Sequence, residues 1–159
     1  MADPGELYDL DFLRWTEQQA TALRRAAQDS NLPLDWENLA EEIESLGKSL
    51  RRELTSQIRR ILRHLYKLEA SPASDPRAGW HGTIREARAD VEYVLKESPS
   101  LRHEISDLIV TQARIAAELA AADLAQHGEA ADAVWTRLEK GGFTADQVLD
   151  DWFPETAAR

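Results

Sequence analysis

At 159 residues the chain is long enough for one domain around one core. Hydrophobic residues make up 43%, too many for a disordered chain, and the dominance of Ala, Leu, Glu, Arg and Gln favours helices over an all-β fold. A net charge of −10 opposes wholesale binding to nucleic acids or anionic membranes, and the lack of Cys excludes disulfides, thiolate zinc sites and thiol nucleophiles.

The N-terminus carries neither a basic region nor an apolar stretch, and no apolar run approaches the ~20 residues that cross a bilayer. The expectation is a single cytoplasmic domain spanning residues 1–159 with no membrane partner. After a short polar start, Asp9 or Asp11 caps a first helix reaching about Asp29, with Phe12, Thr16, Gln19, Ala20, Leu23 and Ala27 inward. Ser30-Asn31-Leu32-Pro33 ends it, because Pro cannot continue the hydrogen-bond ladder.

Residues 35–69 hold the strongest periodic signal. Trp36, Ala40, Ile43, Gly47, Leu50, Leu54, Ile58, Ile61, Leu65 and Leu68 all lie within about 40° of one line at 100° per residue. A straight helix of this span is ~50 Å long, whereas a compact domain of this size is roughly 40 Å across. A kink or break is therefore expected, and Gly47, between Ser45 and Ser49, is the weak point.

A third helix is expected over about 80–97, followed by Ser98-Pro99 as N-cap and first residue of a fourth, on which Leu101, Ile105, Leu108, Ile115 and Leu119 mark the apolar face. Gly128 punctuates it. Val134, Trp135 and Leu138 suggest a fifth helix closed by Gly141-Gly142, and Thr144 with Gln147 forms a capping-box pattern for a last short one. The fold class is thus all-α: an irregular bundle of five or six helices around a long, kinked central helix.

Charge is segregated along that central segment. Asp35, Glu37, Glu41, Glu42 and Glu44 precede Gly47, and Lys48, Arg51, Arg52, Arg59, Arg60, Arg63 and Lys67 follow it. Both ends match the helix macrodipole, so a solvated face explains them. The functional alternative is a basic ridge of Arg52, Arg59, Arg63 and Lys67, but no aromatic residue alternates with these bases as a stacking platform needs.

Glu37, Glu41 and Glu44 sit on neighbouring turns, yet no Glu is followed by His three residues on, as helical metal sites require. His64 lies at the edge of the apolar stripe, and ~40 Å of helix separates it from Glu37. It has instead the third or fourth helix in reach, with Trp80 and His81 as candidate neighbours. No phosphate loop, dinucleotide fingerprint or hydrolase motif is present, so no cofactor is implied. The five tryptophans read first as packing residues, and any left exposed would mark a partner surface.

The stretches LYDLDFLRWTEQQATALR (7–24), LDWENLAEEIESLG (34–47), HLYKLEASP (64–72), GWHGTIREAR (79–88), SPSLR (98–102) and TADQVLDDWFPE (144–155) together resemble a bacterial domain of unknown function, number 29 of such domains. Residues 123–142 depart from that family's pattern. The resemblance implies a helical fold and a bacterial source, implies no activity, and draws attention to Trp36, Glu37, Glu41, Glu42, Glu44, Gly47, His64 and Trp80.

Three functions compete. The first is a protein interaction or assembly module, with another protein or a second copy as partner and Trp36, Trp80, Arg52, Arg59, Arg63 and Lys67 as candidate surface. The second is a metal-binding or hydrolytic bundle in which His64 works with carboxylates, the candidates being Glu37, Glu41, Glu44 and His81. The third is weak nucleic-acid binding through the 51–67 ridge.

Overall fold

A computed structural model of the chain describes residues 3–157. Among these, seven α-helices and one 3-10 segment occur and no strand: α1 (Pro4–Leu10), α2 (Phe12–Asp29), α3 (Trp36–Ala70), α4 (Arg77–Glu97), the 3-10 segment Pro99–Glu104, α5 (Ile105–Gln126), α6 (Asp132–Glu139) and α7 (Ala145–Leu149). The all-α class holds. The expected count of five or six is corrected by α1, which the polar start conceals: Asp3 accepts from the Gly5 N–H, and Pro4 occupies a first-turn position where a missing N–H costs nothing. No helix is long and apolar enough to cross a membrane among the described residues.

The chain divides into two compact units, one comprising residues up to Leu54 with Tyr93–His103, the other Thr55–Glu92 with residues from Glu104 onward. α3 contributes to both and runs uninterrupted from Trp36 to Ala70, so the helix does not break at Gly47. The size limit behind the expected kink or break applies to a helix held within one compact unit, and each unit here holds only part of α3. Gly47 serves packing instead: a Cβ there would lie 2.8 Å from Thr16 Oγ1 and 2.9 Å from Leu13 Cδ1. Its missing side chain lets α2 and α3 approach closely, at an intrinsic helix cost of about 1 kcal/mol.

In the first unit Asp11 caps α2 by accepting from the Arg14 N–H, and the same carboxylate accepts from the N–H and hydroxyl of Ser100. Ser98 does not cap an α-helix as its pairing with Pro99 suggests. Its buried hydroxyl accepts from the Leu13 N–H, and the segment after it winds as a 3-10 turn. The start of α2 consumes both side chains, so the α-helical start moves to Ile105.

In the second unit Leu65, Tyr66, Leu68, Ile84, Ala116, Ala117, Leu124, Val134 and Val148 are fully or almost fully buried. Gly128, at φ 69°, ends α5 while the Glu129 N–H bonds to the Leu124 carbonyl; Gly141, at φ 102°, ends α6 in the same way while the Gly142 N–H bonds to the Arg137 carbonyl. The capping box opening α7 forms with both of its hydrogen bonds. Arg88 then fastens this end of the chain by donating to the carbonyls of Gln147, Val148 and Trp152.

Candidate functional site

His64 opens the clearest cavity of the second unit. One helical turn separates it from Arg60 and nearly one from Lys67, so Arg63, His64 and Lys67 share one side of α3. Trp80 comes from α4, Asp123, Leu124 and His127 from the end of α5, and Ala73, Asp75 and Pro76 from the α3–α4 loop. That loop is held by Arg77, which donates to the Leu68 and Ser71 carbonyls and so satisfies the end of α3. The cavity is open to solvent and holds about 780 Å³, within the usual range for small-molecule sites of roughly 300–1,000 Å³.

Asp123 is the electrostatic centre. Arg63 clamps it through Nε and Nη2 at 2.7 and 2.6 Å, and Lys67 Nζ reaches it at 3.2 Å while lying 4.9 Å from the Trp80 ring centroid. The Arg63 guanidinium holds the Asp123 carboxyl below the usual carboxylate range against the opposing effect of burial, and Lys67 adds to this. His64 Nδ1 lies 2.8 Å from the Arg60 carbonyl. A carbonyl only accepts, so Nδ1 carries the proton and Nε2 keeps its lone pair. Burial, and after it the charges of Lys67, Arg63 and Arg60, push the imidazole below its ordinary pKa, so the ring is neutral near pH 7.

The other predicted residues go elsewhere. His81 stacks on Phe153 at 4.1 Å rather than facing His64's cavity. Glu37 and Glu44 both grip Arg24 of α2, and Glu41 is exposed. Glu37 and Glu44 are therefore tied to the packing of α2 on α3. The later bases of the ridge are engaged by α5: Arg63 and Lys67 pair with Asp123 and Arg59 donates to Gln112 at 3.4 Å, while Arg52 is exposed. No tryptophan is exposed; Trp15, Trp36, Trp80, Trp135 and Trp152 are all half-buried. Among the described residues no group of three His, Asp or Glu is placed to hold a metal.

An open surface does exist, on the first part of α3. Ala40, Gly47 and Leu54 are buried, whereas Leu39 and Leu46 are 42% and 48% exposed, and Trp36, Ile43 and Leu50 are half-buried. Trp36, Leu39, Ile43, Leu46 and Leu50 alternate steps of three and four, and their line is turned about 60° from the buried one. Leu32 and Leu34, in the connection leading into α3, are 63% and 49% exposed. In sequence this second line is masked because Trp36, Ile43 and Leu50 also fit the buried stripe, which leaves out Leu39 and Leu46; the signal is the run Trp36, Leu39, Ile43, Leu46 and Leu50 itself. Asp123 was missed too, although it is an isolated acid in the Ala- and Leu-rich run 119–125.

These helices define an all-α protein without a recognisable catalytic constellation among the described residues. A family model described as "Domain of unknown function DUF29" matches residues 7–153, and the chain belongs to that family. It is similar to the crystal structure of an alpha-helical protein of unknown function from Rhodospirillum rubrum, with 28% identity, a TM-score of 0.71, and coverage of 92% of this chain and 91% of that one. No curated protein matches the chain.

Proposed function

We propose that this protein is a cytoplasmic helical interaction module that docks another protein on the first part of α3. The observation that carries the reading is the open apolar line, with Leu39 and Leu46 nearly half exposed between half-buried Trp36, Ile43 and Leu50. Covering a Leu side chain is worth roughly 1.5–3 kcal/mol, so a partner helix laid along this line gains from each of them. The His64 cavity supports an enzymatic reading less well. Asp123, the acid at its centre, is engaged by Arg63 and Lys67, and the Nδ1 of His64 by a main-chain carbonyl.

A photo-crosslinking residue placed at Leu46 in the source cell tests this, with Glu41 on the opposite side of the helix as control. The expected result is discrete protein adducts from position 46 and none from position 41. Equal crosslinking from both positions, or none from either, would overturn the proposal.

A further inference from the structure

The edge of the docking line says what kind of partner fits it. On its solvent side, about 60–80° beyond the apolar line, stand exposed Glu42 and Glu53, and exposed Asp35, whose carboxylate accepts from the Asn38 N–H and side-chain amide, sits at the start of the helix. No base from residue 35 to residue 54 stands on that edge. Lys48 and Arg52 lie about 160° from the line, and Arg51 turns toward α2, where it pairs with Glu17 at 3.1 Å. On the other side the line is bordered by α2, whose Arg24 is held by Glu37 and Glu44. The apolar strip therefore has an acidic border.

Resting on the reading of α3 as a docking face, we infer that its partner is a basic amphipathic helix of another protein, with an apolar stripe flanked by Lys or Arg. Leucines of such a helix fill the spaces between Leu39, Ile43, Leu46 and Leu50, while its flanking cations meet Asp35 and Glu42. The same charges select against a second copy of this chain. Two copies packed antiparallel about Ile43 set Glu42 of one beside Glu42 of the other, and like charges so placed oppose association. The net charge of −10 acts in the same direction at longer range.

The test uses the full chain and two labelled synthetic peptides that share Leu at heptad a and d positions, one with Lys and one with Glu at the flanking e and g positions. In fluorescence anisotropy at low salt the Lys peptide binds at least about tenfold tighter than the Glu peptide, and the gap narrows as added salt screens the exposed charges. Glu42→Lys weakens the Lys peptide several-fold and tightens the Glu peptide. Glu41→Lys, the same charge change on the opposite side, alters neither. Leu46→Asp abolishes binding while the circular dichroism spectrum at the assay temperature stays that of the folded chain, because Leu46 is only half covered.

If Glu41→Lys acts as strongly as Glu42→Lys, binding follows net charge and the inference is overturned. A Glu peptide that binds as tightly as the Lys peptide overturns the partner class and leaves the docking face standing. A Leu46-dependent dimer in sedimentation, which the peptides fail to displace, replaces the basic helix with a second copy. Failure of both peptides overturns the partner class, and the crosslinking result at position 46 then decides separately whether the docking face survives.

Discussion

The two parts of α3 come from one continuous amphipathic repeat and end in opposite states. Between Trp36 and Glu53 the helix buries a narrow line of small residues, Ala40 and Gly47, and leaves larger apolar side chains beside it open to solvent. From Ile61 to Ser71 every residue except Arg63 and His64 is buried, including Lys67 and Glu69. What separates them is the number of elements that cover each part. Small residues admit one closely packed neighbour and leave the rest of the circumference exposed. In the second part, charged residues are accommodated only by partners: Lys67 by Asp123, and Glu69 by Arg137. One part leaves apolar side chains exposed, and the other buries nearly all of its own.

Truncation should expose the contrast most sharply. Leu65→Ala, at a fully buried position, is expected to cost about 2–5 kcal/mol in urea unfolding, whereas Leu46→Ala should stay within about 0.5 kcal/mol. Equal losses would remove the distinction between the two parts.

The charge networks should differ next. Asp123→Asn leaves Arg63 and Lys67 without their counterion, and the expected loss is about 1–2 kcal/mol after allowing for the part-exposure of Arg63. Because the folded state holds Asp123 below its ordinary pKa, the unfolded chain binds more protons in acid. The Asp123 contribution is complete above the ordinary carboxylate range near pH ~4 and is lost as pH falls through the lowered folded value. Asp123→Asn should flatten that acid limb. Glu44→Gln, at the solvent-open Arg24 pair, should alter it less.

Gly47→Ala sharpens the open part. Helix propensity favours Ala by about 1 kcal/mol, but the new Cβ would press on Thr16 and Leu13. The expected net result is a loss of about 1–3 kcal/mol, read from the denaturation midpoint; a gain in stability would mean that α2 and α3 do not pack this closely.

The smallest effect belongs to His64. Its folded pKa is lowered, so folding favours the neutral ring, and stability falls as pH drops below the unfolded value near ~6.5 toward the folded one. His64→Gln should reduce this slope only in part, since His81 is shifted in the same direction. A slope unchanged by His64→Gln would place the ring in water rather than in the cavity wall.

Much of this architecture was legible from local chemistry. Asp11, the capping box of Thr144 and Gln147, and the glycines 128, 141 and 142 mark helix ends through bonds formed within a few residues, and those ends lie where such bonds place them. The periodicity of 35–69 likewise marked a single long amphipathic segment. What local chemistry did not show involved distant partners. Ser98 looks like a local cap, but its hydroxyl bonds to Leu13, 85 residues away. Gly47 reads locally as a weak point of the helix, and its close approach to Thr16 and Leu13 depends on residues about 30 positions away.

The sequence by itself determined the helical class, the positions of most helix ends and the amphipathic character of α3, because hydrogen bonding and side-chain periodicity act over a few residues. Only the tertiary structure decided which of two adjacent apolar lines on α3 is covered, that Asp123 lines a cavity with His64, and that Arg59, Arg63 and Lys67 meet side chains of α5. Those outcomes depend on which side chains meet across tens of residues of chain, and spacing within one helix does not encode them.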